Sequence, residues 1–103
     1  MRTVEVLFFE GCPHARAAVD LARAAVLEAG VAADVREVCV VTEADAARLR
    51  FLGSPTVRVD GRDVDPNAQH REGYAMQCRL YARDGVLSGL PAAAWIRDAL
   101  RGR

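Results

Sequence analysis

The sequence predicts a single α/β domain: a mixed sheet with helices on both faces, in the order β-α-β-α-β-β-α. Three observations carry that prediction. A hydrophobic strand near the N-terminus turns into a long amphipathic helix and then into a second β-branched strand, which makes a parallel βαβ unit. An Asp-Gly pair between two short extended runs marks a hairpin further on. A last segment carries apolar residues at helical spacing. With 103 residues the chain makes one domain, residues 1–103, with one small core.

In the first strand, Thr3–Phe9, the residues Val4, Val6 and Phe8 alternate with Thr3, Glu5, Leu7 and Phe9. Both faces are therefore largely apolar, as in an interior strand covered on both sides. From Pro13 to Ala29, apolar residues from Ala15 through Ala18, Val19, Ala22, Ala25 and Val26 recur at steps of three and four, and Gly30 supplies the C-cap. The β-branched run Val35–Val41 reads as a second buried strand. Thr42 with Asp45 resembles a capping box and opens a short helix to Leu52, stopped by Gly53.

Ser54-Pro55 then returns the chain to extended structure, and Thr56–Val59 and Arg62–Val64 flank the Asp60-Gly61 turn. Residues 65–77 have no clear period and form a long loop. Beyond it, Met76, Cys78 and Leu80 alternate with Gln77, Arg79 and Tyr81, which predicts one more strand before the turn at Asp84-Gly85, with Cys78 facing inward. Pro91 opens the last helix, whose inward stripe is Ala93, Ile96 and Leu100.

A hydrophobic content of 51% with a formal net charge of zero argues for a globular fold and against disorder. All the basic residues are arginine and they scatter along the chain, so they read as solvated surface and leave no nucleic-acid footprint. There is no basic and apolar leader at the N-terminus and no apolar run near the roughly 18 residues of a membrane span, so the expectation is a cytoplasmic protein with no membrane partner. Three widely spaced cysteines suit free thiols in a reducing compartment better than a disulfide scaffold.

The chemistry concentrates at Cys12-Pro13-His14-Ala15, where the first strand turns into the first helix. A thiol at a helix N-terminus meets exposed amides and the positive end of the dipole, which favour the thiolate. Ala15 stands where a C-x-x-C pair would have its second cysteine, so no local disulfide can form there. Cys12 is either the attacking thiolate or a cysteine that merely packs at a strand end. His14 either supports that thiolate or is a plain solvent-facing residue.

Cys39, in the apolar stretch Val38–Val41, reads as a core residue. Cys78 is either an inward core residue or a resolving thiol, and Pro55 either flanks the reactive cysteine or simply stops a helix. His70, Arg71 and Tyr74 in the long loop either cover the thiol or are ordinary surface. No compact four-ligand set exists for structural zinc, and no cofactor is expected. Two thiolates suffice for a soft ion such as mercury, and Cys12 with Cys78 is the pair to consider.

The element order, Gly11-Cys12-Pro13 at the first turn and Gly53-Ser54-Pro55-Thr56-Val57 before the third strand together resemble the thioredoxin superfamily over nearly the whole chain. The resemblance implies that Pro55 is a cis-proline beside Cys12, with the backbone before it able to pair with an extended substrate. Arg50–Val57, Val59-Asp60-Gly61-Arg62-Asp63-Val64 and Cys78-Arg79-Leu80-Tyr81 are similar to small bacterial thioredoxin-like DF-family (seleno)proteins, some labelled alkylmercury-lyase-like. The implied function is thiol redox chemistry on a disulfide, peroxide or electrophile by Cys12, with Cys78 as the candidate resolving thiol. The alternative is a thiol-based binding or sensing module for a soft metal or a protein partner.

Overall fold

Strand β1 (Arg2–Phe8) is the centre of a mixed four-stranded sheet, as its two apolar faces require. It pairs in parallel with β2 (Ala33–Cys39) and antiparallel with β3 (Thr56–Val59), and β4 (Arg62–Asp63) pairs antiparallel with β3, giving the order β2-β1-β3-β4. These positions come from a computed structural model that describes residues 1–102.

Alternation along the strands divides the core in two. On one face Val4 and Val6 lie opposite Val59 and Val57, and pack with Ala18, Val19, Ala22 and Ala25 of α1 (Ala15–Ala29) and Ile96 and Leu100 of α3 (Ala93–Leu100). On the other face Leu7 packs with Val40, with Phe51 and with Ala46 of α2 (Glu43–Arg48). Helices therefore cover both faces of the sheet. The Cα radius of gyration of 12.6 Å is that of one compact body, close to the ~13 Å typical of 100 residues.

Local chemistry explains the element ends. Gly30, in the left-handed conformation, donates its N–H to Val26 and Leu27 and closes α1. Thr42 Oγ1 accepts the Asp45 N–H at 3.0 Å and opens α2. Both Asp-Gly turns hold two successive residues at positive φ, 50° and 82° at Asp60-Gly61 and 51° and 78° at Asp84-Gly85, as a tight hairpin whose twist matches its strands requires.

Several expectations are corrected. Helix α1 begins at Ala15 with His14 as N-cap, two residues later than Pro13, and α2 ends at Arg48 because Arg50 turns left-handed at φ 54°. Strand β2 is an edge strand and not a buried one, so Arg36, Glu37 and Cys39 are exposed. Residues 76–80 form no continuous strand, only a single bridge from Cys78 to Ser54. Instead β5 (Tyr81–Arg83) and β6 (Val86–Ser88) make a separate two-stranded ribbon, preceded by a 3₁₀ turn at Ala68–His70. The observed order is β1-α1-β2-α2-β3-β4-β5-β6-α3. No helix among the described residues is long and apolar enough to cross a membrane.

Candidate functional site

Cys12 lies in the connection between β1 and α1. The chain turns at Phe9–Cys12, closed by the Cys12 N–H donating to the Phe9 carbonyl at 3.3 Å, and the Cys12 carbonyl in turn accepts the Ala15 N–H at 3.3 Å. Because the helix starts at Ala15, a turn of non-helical chain stands between the half-buried Cys12 and the first helical residue. The thiol is at the head of α1 but not within its first helical turn.

Phe9 also connects this turn to the Pro55 loop. Its N–H donates to Ser54 Oγ at 3.3 Å, joining the end of β1 to the loop that enters β3. The Ser54–Pro55 peptide bond is cis. Around it, Tyr81 donates its hydroxyl to the Pro55 carbonyl at 2.6 Å, and Thr56 Oγ1 donates to the Gly53 carbonyl at 2.6 Å. The Tyr81 and Thr56 bonds are buried, so both are made out of water's reach and hold the loop in one geometry.

The edge beside Ser54 is already occupied. Its N–H donates to the Gln77 carbonyl at 2.8 Å, its carbonyl accepts the Arg79 N–H at 3.1 Å, and the two segments form a parallel bridge that pairs Ser54 with Cys78. The resemblance assigns these same groups to an extended substrate; here residues 77–79 of the chain itself take that place. Gly53 makes the approach feasible. A Cβ there would stand 2.9 Å from Arg79 Cβ and 3.0 Å from the Gln77 carbonyl oxygen, and its φ of 126° is in the region that favours glycine.

Of the residues singled out from the sequence, Pro55 and Cys78 thus adjoin Ser54, and Cys12 closes the turn whose first residue, Phe9, is bonded to Ser54. The ring of His14, the N-cap residue of α1, lies against Gly89 in the loop before α3, where a Cβ on Gly89 would come within 2.6 Å of Nε2. Cys78 is exposed, contrary to the inward phase read from Met76, Cys78 and Leu80. Arg79 and Tyr81 are the buried members, at 2% and 0% exposure. Cys39 is also exposed, again contrary to expectation. It lines an apolar groove of about 290 Å³ with Phe9, Val40 and Met76.

The reversed phase has a physical cause in residues that hydrophobic patterning passes over. The buried guanidinium of Arg79 meets Asp63 in two bonds, Nη1 to Oδ2 at 2.6 Å and Nη2 to Oδ1 at 3.1 Å, and donates to Thr56 Oγ1 at 3.1 Å. It also lies 4.3 Å from the centre of the Tyr81 ring, with Asp65 at 3.6 Å. Burial works against the Arg79 charge, yet the Asp63 bonds, with Tyr81 and Asp65 adding to them, outweigh it and hold the guanidinium above its ordinary value. Burial pushes the Tyr81 phenol well above its ordinary range. The signal for this network was a charged residue alternating with an aromatic one in Arg79-Leu80-Tyr81, but its partner in β4 could not be known without the fold.

Among the described residues no group of three or more His, Cys, Asp or Glu side chains is placed to hold a metal ion. Compared with protein-family models, with curated proteins and with solved structures, the chain finds no match.

Proposed function

We propose that the chain is a thioredoxin-like thiol redox protein in which Cys12 attacks small disulfides, peroxides or electrophiles. The observation that supports this reading is the Phe9–Ser54 link, which ties the turn ending at the half-buried Cys12 to the loop carrying the cis Ser54–Pro55 bond. The order of a parallel βαβ unit followed by an antiparallel hairpin, with helices on both faces, supports the thioredoxin-like reading of the fold.

The chemistry is a thiol exchange. The Cys12 thiolate attacks one sulfur of a disulfide, a new mixed disulfide forms, and the other sulfur leaves as a thiolate. A second thiol then attacks the mixed disulfide and releases Cys12. That thiol comes from solution or from Cys78; in the second case the two Cα atoms must come within about 7 Å. Because residues 77–79 engage the Ser54 backbone, small substrates suit this site better than an extended polypeptide.

The test uses three variants and a small aromatic disulfide with excess reduced glutathione. Cys12→Ser is expected to abolish turnover while Cys39→Ser retains it, even though Cys39 is itself exposed. Equal turnover in the two variants would overturn the assignment. Cys78→Ser separates the source of the resolving thiol: with the aromatic disulfide alone and no glutathione, a Cys12–Cys78 disulfide in the natural chain and a persistent Cys12 mixed disulfide in Cys78→Ser, both read by mass mapping, mark Cys78 as the internal one. The exposure of Cys78 on the segment bridged to Ser54 favours a second reading, capture of a soft ion such as mercury by two thiolates. Unchanged mercury stoichiometry and affinity in Cys78→Ser would remove it.

A further inference from the structure

The arginines that look scattered in the sequence are not scattered in space. A cleft of about 200 Å³ is lined by Arg50 from the turn after α2, Arg58 from β3 and Arg71 from the loop after the 3₁₀ turn, together with Gln69, Tyr74 and Asp63. The ion pairs among the described residues engage Arg2, Arg16, Arg36, Arg48, Arg79 and Arg97, and none of the three cleft arginines is among them. Unpaired cations converging on one concavity repel one another unless an anion joins them.

The arrangement is also partly fixed in advance. Arg58 is half-buried, and its Nη2 donates to the Leu49 carbonyl at 2.7 Å and to the Arg50 carbonyl at 2.9 Å, so the guanidinium is held against the end of α2. Its Nε and Nη1 keep their donors free. Arg50 follows with φ 54°, a left-handed turn that is uncommon for a side chain of this size. Two carboxylates are near. Glu5 lies across the sheet from Arg58, and Asp63 is paired to it in β4, but both oxygens of Asp63 are already taken by Arg79. Positive charge remains in excess.

We propose that this cleft binds a compact multivalent oxyanion of the phosphate class, held by the guanidinium groups of Arg50, Arg58 and Arg71. A carboxylate has one two-oxygen edge and suits one planar guanidinium fork, whereas the oxygens of a phosphate serve several forks from different directions. The cleft has room for about seven water volumes, which suits a phosphate or a diphosphate and not a long polyanion. Gln69 and Tyr74, both with neutral polar side chains, also line it.

The test is calorimetric titration of the full chain at low ionic strength with inorganic phosphate and with pyrophosphate. One saturable site is expected, weakened about tenfold or more in Arg71→Gln and in Arg50→Gln, each of which removes a charge-assisted donor set from an exposed side chain. Arg23→Gln, an exposed arginine of α1 outside every ion pair, and Cys12→Ser are expected to bind as the natural chain does. Arg58 is left in place because it braces the end of α2. Absence of saturable binding of either probe up to about 10 mM overturns the proposal. So does affinity unchanged in both cleft variants, or an equal loss in Arg23→Gln. Binding of pyrophosphate but not of phosphate assigns the cleft to a diphosphate group, and binding of both to a single phosphoryl group.

Discussion

Replacing Asp63 by asparagine removes the charge that neutralises a fully buried guanidinium. Arg79 then keeps Thr56 Oγ1 and the Tyr81 ring, while its nearest remaining carboxylate is Asp65 at 3.6 Å, and its Nε already lacks a partner. Breaking a buried ion pair from one side costs about 3–5 kcal/mol. The Asp63 side chain is 15% exposed and Asp65 offers partial compensation, which places the expected loss at the lower end, about 3 kcal/mol. For a chain of this size that lowers Tm by roughly 12–24 °C. Urea denaturation is the assay, with the midpoint falling at constant m.

Two comparisons make the reasoning refutable. Asp20→Asn breaks the Arg16–Asp20 pair, in which both side chains are 66% exposed, and is expected to cost no more than about 0.5 kcal/mol. Arg79→Met removes the buried charge together with its orphaned Nε but strands Asp63 and the 6% exposed Asp65 without their cation, so it too is expected to lose about 3 kcal/mol. A loss in Asp63→Asn below about 1 kcal/mol, or no larger than in Asp20→Asn, refutes the account.

Three other outcomes follow from the same region and from α2. The Tyr81 phenol is raised by burial, so above its ordinary value of 10.0 the unfolded chain releases a proton that the native state retains, and stability falls as pH rises through that range. The fall approaches about 1.4 kcal/mol per pH unit; Tyr81→Phe, which also loses the bond to Pro55, is expected to flatten it, and an identical alkaline slope in denaturation experiments would count against the burial of Tyr81. Gly53→Ala sets a Cβ against Arg79 Cβ and the Gln77 carbonyl at a positive φ and is expected to cost about 3 kcal/mol, measured by chemical denaturation; a loss near zero would mean that residues 77–79 do not lie on the Ser54 edge. Thr42→Ala removes the cap of α2 and is expected to cost about 1 kcal/mol by the same measurement, with Thr42→Ser recovering most of it.

Much of the scaffold is legible in the residues themselves because short-range rules decide it. The two-sided apolar alternation of β1, the alanine-rich stripe of α1, the Thr42 cap and the Asp60-Gly61 turn all report local geometry, and each appears where its pattern places it. Cys39 departs from its local pattern for a long-range reason. Its neighbours are as apolar as those of a buried strand, but exposure of β2 depends on whether another strand pairs beyond it, and none does among the described residues. The phase at Met76–Tyr81 failed because a hydrophobic pattern gives a charged residue an outward vote, and Arg79 is inward by virtue of Asp63.

The sequence alone determined the chemistry available: a thiol at the strand-to-helix turn with no neighbouring cysteine, a Ser-Pro loop before the third strand, and cations supplied entirely by arginine. Tertiary structure decided what those groups meet. It put the Cys12 turn against Ser54 through Phe9, closed the Ser54 edge with residues 77–79, buried Arg79 on Asp63, and gathered Arg50, Arg58 and Arg71 around one cleft. The physical reason is range. Propensity, capping and turn geometry act over a few residues and can be read along the chain, whereas the partner of a buried charge or the owner of a backbone edge is set by elements far apart in sequence that only the packed core brings together.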